Sequence, residues 1–151
     1  MAIDVRVQSG SNRILAADAA QTDPVPRATG IVGLVGVAAI HFVQVVPTTE
    51  QTPWLGAGFV LLTVACVVLA GRLISGQSRA TWVQVGVVNG LAILGYIFTR
   101  TFSTFIDNQD VGNWSENLGM AALLVEGLLL LLSFRQLLVS RSAADRIQLK
   151  S

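Results

Sequence analysis

Three ionisable side chains occur inside long apolar stretches of this sequence: His41, Arg100 and Glu126. An ionisable group at the centre of a membrane helix costs about 2.5–3.5 kcal/mol on insertion scales, so such residues are candidates for function. At ~1.5 Å per residue, His41 and Glu126 would lie about 8 and 13 Å below the same membrane surface. A histidine and a carboxylate at similar depth can share a proton or bind a small cation. These residues therefore predict a proton, metal or solute site.

Further polar residues extend this candidate site. Asn89 and Tyr96 share an apolar stretch with Arg100, and Glu116 precedes the stretch that contains Glu126. Arg100 could extend towards the membrane surface or turn inward to Glu116 or Glu126. The predicted polar or ligand site consists of His41, Asn89, Tyr96, Arg100, Glu116 and Glu126, and a metal ion, if one binds, would use His41 and Glu126.

The same residues also fit a purely structural role. Hydrogen bonds between membrane helices contribute around 0.6 kcal/mol each, up to ~2, and they determine which helices pair. A protonated Glu126 that donates one such bond would need no ligand. The sequence leaves both alternatives open.

The sequence gives no support to several kinds of metal, haem or catalytic site. With one histidine and one cysteine, a zinc site would need carboxylates to complete its coordination. Ligation of haem by two histidines would need His41 from two chains. Cys66 lies within an apolar run and is expected to be a buried, inert thiol. Serine–histidine–aspartate, phosphate-binding glycine-loop and HExxH patterns are absent from the sequence. We therefore expect a non-enzymatic protein, and no cofactor is identified.

Composition indicates a membrane protein. Of the 151 residues, 52% are hydrophobic and 13% are charged, and the mean hydropathy is +0.63. An average soluble domain has roughly 25% charged residues. The apolar residues form long blocks, which is typical of helices that face lipid. The net charge of +1 gives no reason to expect nucleic-acid binding.

The apolar blocks predict an all-α protein with four transmembrane helices within residues 29–138. The expected spans are about 29–46, 54–73, 82–102 and 117–138, each near the ~20 residues that cross a bilayer. Pro47 is expected to end the first helix, and Pro53 to lie in the first turn of the second.

The remaining segments are expected to be cytoplasmic. Residues 1–28 are polar and are predicted to be disordered, with a short amphipathic turn at 14–20 as the alternative. Residues 139–151 are predicted to form a basic tail.

Short connections between the spans predict an up-down-up-down bundle. Small and polar residues at steps of three and four mark the faces that should point inward. These residues are Gly30, Gly33, Val37, His41 and Gln44 in the first helix, Gly86, Asn89 or Gly90, Ile93, Tyr96 or Ile97 and Arg100 in the third, and Gly119, Ala122, Glu126 and Ser133 in the fourth.

The distribution of basic residues predicts the orientation. Nine of the ten basic residues fall on one side of the predicted spans: Arg6, Arg13, Arg27, Arg72, Arg79, Arg135, Arg141, Arg146 and Lys150. The positive-inside rule then places both termini in the cytoplasm. Trp54 and Trp114 would lie at the outer interface and Trp82 at the inner one.

Several short motifs occur within about 38–132: His41-Phe42, Trp54-Leu55-Gly56, Asn89-Gly90-Leu91-Ala92, Arg100-Thr101, Gly112-Asn113-Trp114-Ser115-Glu116 and the single residue Glu126. In these residues the chain resembles a group of small four-helix membrane proteins of actinobacteria. The resemblance implies the four-helix topology, the plasma membrane of a bacterium, and His41, Arg100 and Glu126 as site residues. It implies no activity. Those proteins often have Arg-Thr-x-Gly-Leu-Pro after the third helix, where this chain has Arg100-Thr101-Phe102-Ser103-Thr104.

Three functions are compatible with these features. The first is an accessory or scaffolding subunit of a membrane complex, or a homo-oligomer, because the chain is small and has glycine-lined helices. The second is a protein that handles protons, a metal or a solute at a polar site in the outer half of the bundle, formed by His41, Arg100 and Glu126. The third is a redox subunit that binds haem or quinone between chains.

The predicted orientation can be tested by cysteine labelling. In a protein lacking Cys66, Glu50→Cys and Asp107→Cys are expected to react with an impermeant thiol reagent added to intact cells. Ser78→Cys and Ser142→Cys are expected to react only after the cells are permeabilised, because nine basic residues hold that side in the cytoplasm. Labelling of the second pair alone in intact cells would invert the orientation.

Overall fold

A computed structural model describes the backbone of residues 24–102 and 111–148, and the side chains of this part as far as residue 140. It contains four helices: α1 (Pro24–Gln51), α2 (Pro53–Ser75), α3 (Arg79–Thr101) and α4 (Asn117–Gln148). Each is long and apolar enough to span a membrane, α4 over Asn117–Ser140. The predicted all-α class is confirmed.

The four helices form an antiparallel bundle. Each helix packs against its neighbours in sequence, and α4 also packs against α1, which closes the bundle. One end of the bundle carries the α1–α2 and α3–α4 connections, and we call it the distal end. The other end carries the α2–α3 connection, the start of α1 and the end of α4, and we call it the terminal end.

The first helix is longer than the sequence predicted at both ends. It begins at Pro24, and it passes through Pro47 to Gln51 instead of ending at Val46. Proline removes one backbone hydrogen bond, and such a loss is tolerated in membrane helices where nearby hydroxyl groups and neighbouring helices compensate. The next turn is held by the Thr49 hydroxyl, which donates to the carbonyl of Val45 over 2.6 Å.

A single residue, Thr52, separates α1 from α2. Its N–H donates to the carbonyl of Thr48 over 2.7 Å, and Pro53 opens α2 as the sequence predicted. The two helices approach closely just beyond this connection. A Cβ at position 56 would lie 2.8 Å from Cα of Thr49, so Gly56 is required for the approach.

The apolar core lies in the terminal half of the bundle. Its buried members on α2 run from Cys66 to Leu73, and they pack with residues of the other three helices: Leu34, Val37, Val85 and Leu129. Trp82 belongs to this core and is 3% exposed. It faces Gly30 inside the bundle, although the sequence placed it in an interfacial aromatic belt. Cys66 is buried, as predicted.

Several sequence expectations concern residues outside the described part of the chain. They are the disordered segment up to residue 23, the amphipathic turn at 14–20 and the loop motif after Phe102. Of the segment predicted as a basic tail, residues 139–148 continue α4.

Candidate functional site

His41 and Glu126 face each other inside the bundle. Nε2 of His41 on α1 lies 3.6 Å from Oε1 of Glu126 on α4. Glu126 is 2% exposed and His41 is 7% exposed. The ring of Phe59 on α2 packs edge-on against the imidazole, with 5.0 Å between ring centroids. The sequence predicted that His41 and Glu126 lie at similar depth in the membrane. The packing of α1, α2 and α4 places them side by side.

The hydrogen bonding of His41 determines which ring nitrogen carries a hydrogen. Nδ1 lies 3.0 Å from the carbonyl oxygen of Val37, which can only accept, so Nδ1 carries a hydrogen. The pair is neutral when it holds one further proton, either on Glu126 or on Nε2 of an imidazolium. It carries a charge of −1 when that proton is absent.

A second polar cluster lies at the distal end. Nη2 of Arg100 donates to Oε2 of Glu116 over 2.7 Å, and the guanidinium carbon lies 4.7 Å from the centroid of the Tyr96 ring. The Tyr96 hydroxyl donates to the carbonyl of Trp114 over 3.3 Å. Gly119 provides the space for this ring, since a Cβ there would lie 2.7 Å from it. Of the two carboxylates considered from the sequence, the partner of Arg100 is Glu116.

A cavity of about 780 Å³ joins the two polar clusters. Glu116 and Glu126 are ten residues apart on α4, which corresponds to about 15 Å along the helix axis. Between them the wall consists mainly of apolar and small side chains, among them Leu55, Leu62, Ala65, Ala92, Gly95 and Ala122. The volume exists because these small side chains of α2, α3 and α4 do not fill the space between the helices in the distal half.

The cavity reaches the lateral surface of the bundle between α2 and α3. Leu61 on α2 and Leu91 on α3 both line it, and they are 71% and 63% exposed. Both lie near the middle of their helices, where a membrane protein faces hydrocarbon. The space beside His41 and Glu126 is therefore open towards lipid.

Five of the six predicted site residues line the cavity, and Asn89 does not. Asn89 is fully buried, and its amide donates to the carbonyl of Val85 on its own helix over 2.8 Å. Gln44 was not in the predicted site, yet it lines the cavity. Within the described residues, its buried Nε2 has no hydrogen-bond partner. The sequence contains a signal that identifies Gln44, because this residue lies three residues after His41 on the same helix face.

The arrangement of the described side chains gives little support to a metal site. Within residues 24–102 and 111–140, no three histidine, cysteine or acidic side chains come together. A metal ion at His41 and Glu126 would therefore need further donors, such as the Gln44 amide or water.

No family model, curated protein or solved structure matches this chain. The resemblance to actinobacterial membrane proteins stays an expectation from the sequence. The chain is a four-helix protein with four candidate membrane spans, and the cavity is the basis for assigning a function.

Proposed function

We propose that this four-span membrane protein binds a small, mostly apolar molecule in the cavity and holds the polar group of that molecule at His41 and Glu126. One observation carries the proposal: a cavity of about 780 Å³ has mainly apolar walls and two buried polar side chains, His41 and Glu126, at its inner end. Ligand pockets typically have 300–1,000 Å³ and mainly apolar linings with few polar groups. The proposal belongs to the proton-, metal- or solute-handling class, which the sequence offered as the alternative to an accessory subunit or a homo-oligomer.

The unpaired polar atoms support a ligand more than a packing network. Within the described part of the chain, Oε1 of Glu126 and Nε2 of Gln44 are buried without a hydrogen-bond partner. A network that served only to join helices would satisfy its members, because a buried unpaired polar group costs about 1–3 kcal/mol. A bound molecule would supply the missing partners.

The other functions considered from the sequence gain less support. Ligation of haem by two copies of His41 would require the residue at a surface between chains, yet it is buried within one bundle. The accessory-subunit hypothesis stays a prediction, because the exposed apolar surface of the described helices is what lipid contact alone requires. Foreign subunits that co-purify with the protein in mild detergent would favour it.

A cavity-filling substitution tests the proposal. Ala65 lines the cavity, whereas Val64 beside it faces outward. Ala65→Phe is expected to weaken binding of triphenylphosphine oxide at least about tenfold, or 1.4 kcal/mol. This neutral probe has aromatic rings for the apolar wall and an oxygen that can accept a hydrogen bond from the polar pair. Equilibrium dialysis against detergent micelles measures the binding.

Val64→Phe is the matched control and is expected to bind the probe as the wild-type protein does. Melting temperatures of both variants show whether each remains folded. Equal affinity of a folded Ala65→Phe protein and the wild-type protein would place the probe outside the cavity and refute the proposal.

A further inference from the structure

The charge of the cavity follows from the ionisable groups that line it or lie near Glu126. Within residues 24–102 and 111–140 they are His41 on α1, Cys66 on α2, Tyr96 and Arg100 on α3, and Glu116 on α4. The charges of Arg100 and Glu116 cancel within their ion pair, and neutral Cys66 and Tyr96 contribute none. The His41–Glu126 pair is neutral with its shared proton and carries a charge of −1 without it. Loss of a single proton therefore makes the inner end of the cavity anionic.

The surroundings of this pair suit an organic cation. A carboxylate in an apolar site attracts a positive charge strongly because little water screens it. The ring of Phe59 lines the cavity beside His41, and aromatic rings attract cations by about 0.5–2 kcal/mol. A hydrated metal ion would gain little from apolar walls, whereas a cation with apolar substituents would contact both kinds of surface.

The lateral opening of the cavity between α2 and α3 favours a lipophilic molecule. Leu61 lies eight residues after the start of α2 and Leu91 ten residues before the end of α3. These separations correspond to about 12 and 15 Å from the distal end. A molecule that passes between them comes from the hydrocarbon region and not from water.

We infer that the cavity takes a lipophilic monovalent cation, such as a hydrophobic amine or onium ion, in exchange for the proton shared by His41 and Glu126. The cation binds beside the Glu126 carboxylate, and His41 remains neutral with its hydrogen on Nδ1. The released proton passes to water at the polar distal end. One charge enters and one leaves, so the charge of the site is conserved. This inference rests on the proposed function and names the class of ligand.

Tetraphenylphosphonium is a suitable probe because it has no proton to lose. Between pH 5 and 8, the affinity for this cation is expected to rise about tenfold per pH unit as long as the ligand-free site holds its proton. The affinity is expected to level off at a pH where the ligand-free site has lost that proton. Binding in weak buffer is expected to release about one proton per cation bound. Tetraphenylborate has the same shape and the opposite charge, and it is expected to bind at least tenfold more weakly.

Two variants test the assignment to Glu126. At pH 8, where His41 of the variant is neutral, Glu126→Gln is expected to weaken phosphonium binding and to abolish proton release while it still binds triphenylphosphine oxide, which shows that the cavity is intact. Glu126→Asp keeps a carboxyl group and is expected to retain proton release.

The outcomes separate this inference from the proposed function. If the neutral oxide binds in a manner that depends on Ala65 and the phosphonium does not bind, the inference is wrong and the proposed function stands. Phosphonium binding without proton release, or tighter binding of tetraphenylborate, also refutes the inference. If each of the three probes binds the wild-type and Ala65→Phe proteins with equal affinity, both the inference and the proposed function are wrong.

Discussion

Glu126→Gln is expected to destabilise the protein in acid by about 3–5 kcal/mol, the cost of breaking a buried ion pair by removal of one partner. In the wild-type protein the shared proton keeps the His41–Glu126 pair neutral. In the variant, a proton added to His41 creates a buried imidazolium without a counter-charge. At pH 8 the imidazole is neutral and the glutamine can donate to it, so the loss should be small. The destabilisation therefore grows as the pH falls from about 8 to 5, where histidine titrates.

A double-mutant cycle with His41→Gln identifies the partner. The double variant lacks the imidazole, so it should regain at pH 5 much of the stability that Glu126→Gln loses. Thermal stability in detergent is measured for both single variants and the double variant at each pH. Glu50→Gln, which changes an exposed carboxylate near the distal end of α1, is the control and should change little. Small, additive effects that do not vary with pH would contradict a functional site at His41 and Glu126 and would indicate a packing network.

Gly56→Ala is expected to destabilise the protein by about 1–3 kcal/mol, the usual range for overpacking. The added methyl group would meet the backbone of Thr49, with 2.8 Å to its Cα. A backbone cannot rotate aside as a side chain can, so α1 and α2 would have to separate near their one-residue connection. The decrease in melting temperature measures the effect.

Gly58→Ala is the matched control for this substitution. It lies on the same helix two residues later, and a Cβ there meets nothing within 4 Å. It is expected to leave the melting temperature nearly unchanged. Equal effects of the two substitutions would mean that helix propensity, and not the close approach of α1 and α2, determines the response.

The inward faces of α1 and α4 were predictable from the spacing of small and polar residues. The residues named from α4 are all buried, as are Gly30, Val37 and His41 of α1. This spacing is informative because membrane helices approach each other where side chains are small. The same reasoning placed His41 and Glu126 at similar depth, and the structure adds that they face each other.

Other features depend on tertiary packing that the sequence does not encode locally. Trp82 was expected at an interface because tryptophan is frequent there, yet its ring fills space beside Gly30. Pro47 was expected to end a helix because proline does so in water-soluble proteins, but α1 continues through it. The cavity depends on the separation of α2 and α3 in the distal half, which no spacing along one helix reveals.

Native mass spectrometry of the protein purified in mild detergent tests most directly whether the cavity holds a ligand. The wild-type and Val64→Phe proteins are expected to retain one bound small molecule per chain, and Ala65→Phe is expected to lack it. Fragmentation of the released molecule would identify its chemical class. The same set of adducts on all three proteins would show that bound molecules coat the lipid-facing surface instead, and would contradict the proposed function.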